Sequence, residues 1–318
     1  MRILINDKIS ENGIATLRAA GFEVIVTKVA QVQLENYICE NSIDAIVVNH
    51  NTGVTQELLE ACPSIKLIAC TRPNMDNIDI DYAYENGIHV VNATKATTIA
   101  VAELVFAHLF GMVRFLHQSN REMPLEGDSR FGDLKKQFSV GQELRGKTLG
   151  IIGLGKVGTE VAKIAVGIGM RVIATHSTKS ENPEVTLSFF DGQSITIPIA
   201  TKKTEDVLKA ADFISIHTPL LDDYVIGEKQ LALMKDNVGI VNTAIGGVID
   251  EIALVNAIKK GKVKYAGLDV YENQPTPEIQ LLMNPEISLT PNIGGTTKES
   301  QERIGDEIAK QIIELLAE

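Results

Sequence analysis

The stretch from Leu149 to Gly158, reading LGIIGLGKVG, constrains this chain more than any other. Lys147 to Ile152 is a short apolar strand that runs into Gly153, Gly155 and Gly158, spaced Gly-x-Gly-x-x-Gly, with Lys156 and Val157 between the last two. Val157 to Ile168 then has helical periodicity, and Arg171 to Thr175 reads as a second strand. Strand, glycine turn and helix in that order form a dinucleotide-binding fingerprint. The first glycine permits the tight turn, the second lets backbone approach a pyrophosphate, and the third lets the helix pack on the strand. The phosphates are expected on the helix N-terminus, where unpaired N–H groups and the helix dipole favour an anion.

An NAD site of this kind carries an acid at the end of the second strand to hold the ribose hydroxyls. Here that position is His176, which opens the run His176-Ser-Thr-Lys-Ser180. Ser177, Lys179 and His176 are suited to a 2′-phosphate, so NADP stands beside NAD as the expected cofactor. The alternative is a solvated loop with no cofactor preference.

The 318 residues suffice for two ordinary domains. Met1 to about Thr98 alternates strands (2–6, 22–27, 45–49, 65–70, 89–92) with helices from Ser10 and near Leu34, which predicts a small parallel α/β domain. Thr98 to His117 reads as one long helix, and residues 120–147 as a polar connection over a surface. Past the second strand, apolar residues alternate on either side of Asp191-Gly192, predicting a hairpin insertion near 186–199. Strands are expected again at 213–217, 239–242 and 265–270, with helices from Glu228 and Glu251 between them and a final helix from about Lys298.

A formal charge of −11 argues against nucleic acid or an anionic membrane as partner. No apolar run reaches the length of a membrane span, and the start, Met1-Arg-Ile-Leu-Ile5, reads as a strand rather than a signal peptide. The three cysteines, Cys39, Cys62 and Cys70, have neither metal spacing nor an even count, so a reducing, cytoplasmic setting without a metal is expected.

Four later motifs carry a family resemblance. They are Ile216-His-Thr-Pro219; Val241-Asn-Thr-Ala244 followed by Gly246-Gly-Val-Ile-Asp250; Ala266-Gly-Leu-Asp-Val-Tyr271; and Leu289-Thr-Pro291 followed by Ile293-Gly-Gly295. In this order and spacing they resemble the D-2-hydroxyacid dehydrogenases, most of all short 3-phosphoglycerate dehydrogenases without a regulatory domain. The resemblance covers nearly the whole chain. It implies an α/β fold of two Rossmann-like domains: a flavodoxin-like substrate domain (1–98 and 292–318) and a doubly wound nucleotide-binding domain (99–291). It also implies a cofactor cleft between them, shaped in part by His217, Thr218 and Pro219, an Asp269 that contacts the nicotinamide carboxamide, and a homodimer.

Chemistry of that class needs an arginine fork for the substrate carboxylate, a histidine to exchange the hydroxyl proton, and a carboxylate to tune the histidine. By resemblance the three belong at the positions of Ile245, Gln274 and Asn292. None of these side chains titrates near neutral pH, and Ile245 binds no anion. Formate dehydrogenases, which resemble this family, also use glutamine at the position of Gln274, but they keep the arginine and the histidine.

The substrate side departs as well. The glycine-rich carboxylate loop of the family corresponds to Ala69-Cys-Thr-Arg-Pro-Asn74, where Pro73 lacks an N–H donor. The family's phosphate-binding arginine aligns with Asn49, in Asn49-His-Asn-Thr-Gly53. Arg72 reads either as a replacement anion ligand or as a solvated loop arginine. His50 and His217 are weak candidates for a substitute base, and Cys70 reads as a buried strand end. Together these residues predict a dinucleotide-binding protein that is non-catalytic or strongly impaired and acts as a sensor or a modulator of an active paralogue. The competing expectation is an oxidoreductase for a non-standard 2-hydroxy or 2-oxo compound.

Overall fold

The computed structural model describes residues 1–175 and 183–317. His176, Ser177 and Lys179, singled out above, lie outside the described residues. The chain divides into two compact units, Met1–Thr98 with Thr296–Glu318, and Ile99–Gly295.

In the first unit β1 (Arg2–Ile5), α1 (Glu11–Ala19), β2 (Glu23–Val26), α2 (Gln31–Asn41), β3 (Ala45–Val48), α3 (Gln56–Ala61), β4 (Leu67–Cys70), α4 (Ile80–Glu85) and β5 (His89–Asn92) alternate. They build a parallel sheet in the order β2-β1-β3-β4-β5. Apolar clusters cover both faces of the sheet, so β3 and β4 are buried along their whole length and read as unbroken apolar runs. α3 and α4 are only six residues each, too short to carry a periodic signal. The strand order reverses at β1 and β3, and the loops that leave their C-terminal ends carry Asn6, Asp7 and Asn49. A reversal of this kind is where open α/β sheets take ligands.

The second unit begins with α5 (Thr98–Val113), α6 (Leu116–Glu126) and α7 (Phe131–Phe138). The expected single helix over 98–117 is therefore broken: Phe115 takes a left-handed conformation, φ 56°, between α5 and α6. The expected surface connection over 120–147 is largely helical too. α6 has no buried residue, and α7, though amphipathic, is only eight residues long and buries only Leu134, so neither carries a long periodic signal. No single helix among the described residues is long and apolar enough to cross a membrane.

There follow β6 (Thr148–Ile152), α8 (Lys156–Gly167), β7 (Arg171–Thr175), β8 (Glu184–Ser188), β9 (Ser194–Pro198), β10 (Ala200–Thr201), α9 (Thr204–Ala210), β11 (Phe213–Ile216), α10 (Glu228–Leu233), β12 (Val238–Asn242), α11 (Glu251–Lys259), β13 (Val263–Leu268), α12 (Ile279–Leu282) and β14 (Ile287–Leu289). Seven of these strands form one parallel sheet, β10-β7-β6-β11-β12-β13-β14, while β8 and β9 pair with each other as an antiparallel hairpin. Gly192, at φ 85°, makes the hairpin's turn. The strand order reverses between β6 and β11, next to the glycine turn that leaves β6.

α13 (Lys298–Leu316), capped by Thr297 Oγ1 accepting from Ser300 N, belongs to the first unit and packs on α1. The two helices meet at Gly13 and Gly305, where a Cβ on Gly13 would lie 2.7 Å from Gly305 O. Buried Ile304, Ile308 and Ile312 of α13 join the cluster over β1 and β3.

Candidate functional site

In the second unit the site grows from the end of β6. Gly153 has φ 98°, which glycine adopts without strain, and a Cβ there would lie 2.6 Å from His217 O. Its N–H donates to Thr175 Oγ1 at 3.0 Å, which ties the turn to the end of β7. Gly158 is buried, and its Cβ would lie 2.2 Å from Gly153 O, so no other residue fits. Gly155 differs: it is the N-cap of α8 with no side-chain cap, and a Cβ there would meet nothing within 4 Å. That open space lies before the N–H groups of the first turn, which includes Lys156 and Val157, and so fits a pyrophosphate.

Thr218 Oγ1, after β11, is buried without a hydrogen-bond partner among the described residues. A buried hydroxyl left this way is costly unless a ligand satisfies it. Pro219 beside it is exposed. His217 Nε2 lies 2.7 Å from Ser215 Oγ, and enclosure pushes the imidazole down to about 3. It is therefore neutral near pH 7 and weakly basic, which weighs against His217 as a substitute base.

Asp269 follows β13 and is 1% exposed. Its Oδ1 accepts from Thr290 Oγ1 (2.6 Å) and Ile293 N (2.8 Å), and its Oδ2 accepts from Gly294 N (2.8 Å). The carboxylate thus fixes the loop after β14. Behind it stands His108 of α5, its Nε2 3.1 Å from Thr290 Oγ1 and its Nδ1 2.9 Å from Ser288 Oγ. Because Thr290 spends its proton on Asp269, it can only accept from His108, which fixes the proton on Nε2. Burial pushes His108 down to about 4. His108, Thr290 and Thr175 carried no sequence signal as site residues, because long-range packing alone brings them to Asp269 and Gly153.

Asn292 and Gln274 are joined: Asn292 Nδ2 donates to Gln274 Oε1 at 3.1 Å. Asn292 sits at φ 55°, a left-handed conformation that asparagine tolerates well. Ile245 is half-buried and packs on the core of this unit, and its carbonyl accepts from Asn242 Nδ2 at 3.0 Å. The backbone around Ile245 is thereby held while its side chain presents only hydrocarbon.

In the first unit Asp7 anchors the loop after β3. Its Oδ2 accepts from Asn49 N (2.8 Å) and Thr52 Oγ1 (2.7 Å), and its Oδ1 pairs with Lys28 Nζ (2.7 Å). Burial works against its ionisation, but Lys28, Thr52 and Asn49 together outweigh burial and hold the carboxyl below its usual range. Asp7 and Lys28 were not singled out from sequence, although Asp7 follows the first strand at the sheet's reversal point.

Arg72 Nη1 lies 3.0 Å from His50 Nδ1. A guanidinium only donates, so His50 accepts on Nδ1 and carries its proton on Nε2. Burial and then the Arg72 charge lower the pKa of His50, against an opposing pull from Asp7. No ion pair among the described residues involves Arg72. Pro73 O accepts from Asn92 Nδ2 (2.7 Å), and Asn74 binds Asp76. Pro73 and Asn74, with Gly53, Thr55, Asp76 and Asn77, line an open groove of about 810 Å³ that neither Arg72 nor His50 enters.

The profile of "D-isomer specific 2-hydroxyacid dehydrogenase, NAD binding domain" matches residues 106–294. A D-3-phosphoglycerate dehydrogenase of Methanocaldococcus jannaschii is 35% identical over 99% of this chain and 57% of its own length. The chain thus spans little more than half the length of that relative. A hydroxypyruvate reductase of Thermotoga maritima is 36% identical over 99% of this chain and 98% of its own. Among solved structures, an acyclic imino acid reductase in complex with NADPH and D-Arg superposes with a TM-score of 0.81 at 28% identity, over 100% of this chain and 97% of that one.

Proposed function

The chain belongs to the D-isomer specific 2-hydroxyacid dehydrogenase family, and on that premise we propose that it holds a nicotinamide dinucleotide but lacks the acid–base set for ordinary turnover. The observation that carries this reading is the Asn292–Gln274 amide pair, at the positions where resemblance places a histidine and a glutamate. A bound dinucleotide supplies a hydride acceptor or donor. The residues around it must then exchange one proton with the substrate oxygen. Two amides share a hydrogen bond and exchange no proton near neutral pH. Ile245, where resemblance places the carboxylate clamp, offers no donor. General acid–base catalysis is worth about 10²- to 10⁴-fold, so its loss leaves only residual turnover. A sensor or a modulator of an active paralogue is the role this supports.

For the cofactor, NADPH is proposed to bind at least as well as NADH. Position 176 is His rather than an acid, and the imino acid reductase relative was solved with NADPH.

A second reading is favoured by the Arg72–His50 pair. Its guanidinium and the Nε2–H of exposed His50 are donors in no ion pair among the described residues, which suits an anionic substrate group. Under this reading the protein is an oxidoreductase for a non-standard 2-oxo compound, and water supplies the proton.

Calorimetry with NAD, NADH, NADP and NADPH, followed by assay of the bound reduced forms against 2-oxo acids, separates the two readings. The first expects micromolar cofactor binding and negligible turnover. Turnover of hydroxypyruvate, glyoxylate or 3-phosphohydroxypyruvate above about 1 s⁻¹, within the ordinary enzyme range, overturns it. If such turnover falls at least tenfold in Arg72→Met, the second reading takes its place.

A further inference from the structure

Away from both candidate sites, α2 and α3 bring two thiols together. Cys39 lies in the last turn of α2 and is exposed, while Cys62 ends α3 and is buried with Leu34, Ile38, Leu58 and Leu59. Their Sγ atoms are 3.6 Å apart, in contact. Each thiol otherwise has only a long contact to a carbonyl of the facing helix, Cys39 Sγ to Ala61 O at 3.4 Å and Cys62 Sγ to Glu35 O at 3.7 Å. The third cysteine, Cys70, is buried separately and bonds to Asn74 O. Among the described residues no further His, Cys, Asp or Glu completes a metal site around the pair.

We infer that Cys39 and Cys62 are a modification site: a dithiol that hydrogen peroxide converts to an intramolecular disulfide, which a thiol reductant opens again. Cys39 is the sulfur that meets the oxidant, since it alone of the pair is exposed. Its thiolate attacks the peroxide; an S–O bond forms, the O–O bond breaks and hydroxide leaves, giving a sulfenic acid. Cys62 Sγ then attacks the Cys39 sulfur; the S–S bond forms and the S–O bond breaks. The hydroxyl departs as water with the proton of Cys62. The two thiols lose two electrons and the peroxide becomes two waters. The sulfurs need to close from 3.6 Å to about 2.0 Å. The Cys62 thiol is pushed up to about 12 by burial, by its hydrogen bond to Cys39 and by the Cys39 charge.

The test is a peptide map. The full chain is treated with hydrogen peroxide, blocked with iodoacetamide, digested without reductant and analysed by mass spectrometry. The expected product joins the Cys39 and Cys62 peptides with loss of two hydrogens, and dithiothreitol restores both thiols. Cys70 remains a thiol throughout. In Cys39→Ser, an exposed change that leaves the fold intact, Cys62 should stay reduced at peroxide concentrations that fully couple the pair in the unmodified chain. Sulfinic acid on Cys39 without a joined peptide overturns the inference. So does a disulfide between Cys39 residues of two chains, or equal oxidation of Cys62 with and without Cys39.

Discussion

Asn292 Nδ2 donates to Gln274 Oε1 across 3.1 Å, which pairs two neutral amides at an exposed position. At positions where resemblance places a histidine and a carboxylate, an amide pair offers a hydrogen bond but no proton to exchange near neutral pH. The scaffold behind it is intact, with Asp269 still holding the N–H groups of Ile293 and Gly294.

The triple change Ile245→Arg, Gln274→Glu and Asn292→His should therefore restore measurable reduction of a small 2-oxo acid, while each single change does little, since residues that act as a unit are not additive. Histidine also tolerates the left-handed backbone at this position. Ile245→Arg removes packing from a half-buried site, so the triple variant should melt a few degrees lower. Parallel assays of unmodified and triple-variant protein decide the matter, and equal inactivity of both would falsify the separation of scaffold from reactive groups.

Gly155→Ala and Gly158→Ala should split binding from stability. A Cβ on Gly155 meets nothing within 4 Å, so the fold should be unchanged. If phosphates occupy that space, dinucleotide affinity should fall at least tenfold, about 1.4 kcal/mol. A Cβ on Gly158 would lie 2.2 Å from Gly153 O, so that change should lower both affinity and melting temperature. Unaltered affinity in Gly155→Ala would place the pyrophosphate elsewhere.

His108 should make stability pH-dependent. Its folded value, about 4, lies below the ordinary 6.5 because it is buried, so below pH 6.5 the unfolded chain binds a proton that the folded chain does not. The stabilising contribution is fully present above pH 6.5 and is lost progressively toward pH 4, to a limit of about 3 kcal/mol. His108→Gln should flatten that part of the melting-temperature profile. An unchanged slope between those values would mean that His108 titrates normally.

Assembly is the fourth expectation. Family resemblance implies a two-fold dimer, and Leu116, Leu125, Phe131 and Val140, on and beside α6 and α7, are each more than half exposed. Sedimentation at micromolar concentration should give a dimer, and Leu125→Asp with Phe131→Asp should give monomers. A monomeric unmodified chain sinks this expectation.

The parallel α/β class, the turn from Gly153 to Gly158 and the non-titrating side chains Ile245, Gln274 and Asn292 were legible in the sequence. Those features are local: apolar runs of strand length, glycines whose missing Cβ is visible in the letters, and side chains whose chemistry needs no neighbour to be known. Residues that a sheet reversal or a helix crossing brings together were not legible. Tertiary structure alone placed His108 and Thr290 behind Asp269, joined Arg72 to His50, set Cys39 against Cys62 and pressed Gly13 on Gly305. α6 and α7 were hidden for a related reason. Sequence shows a helix by the length and period of its apolar face; α6 buries no residue, and α7, though amphipathic, spans only eight residues.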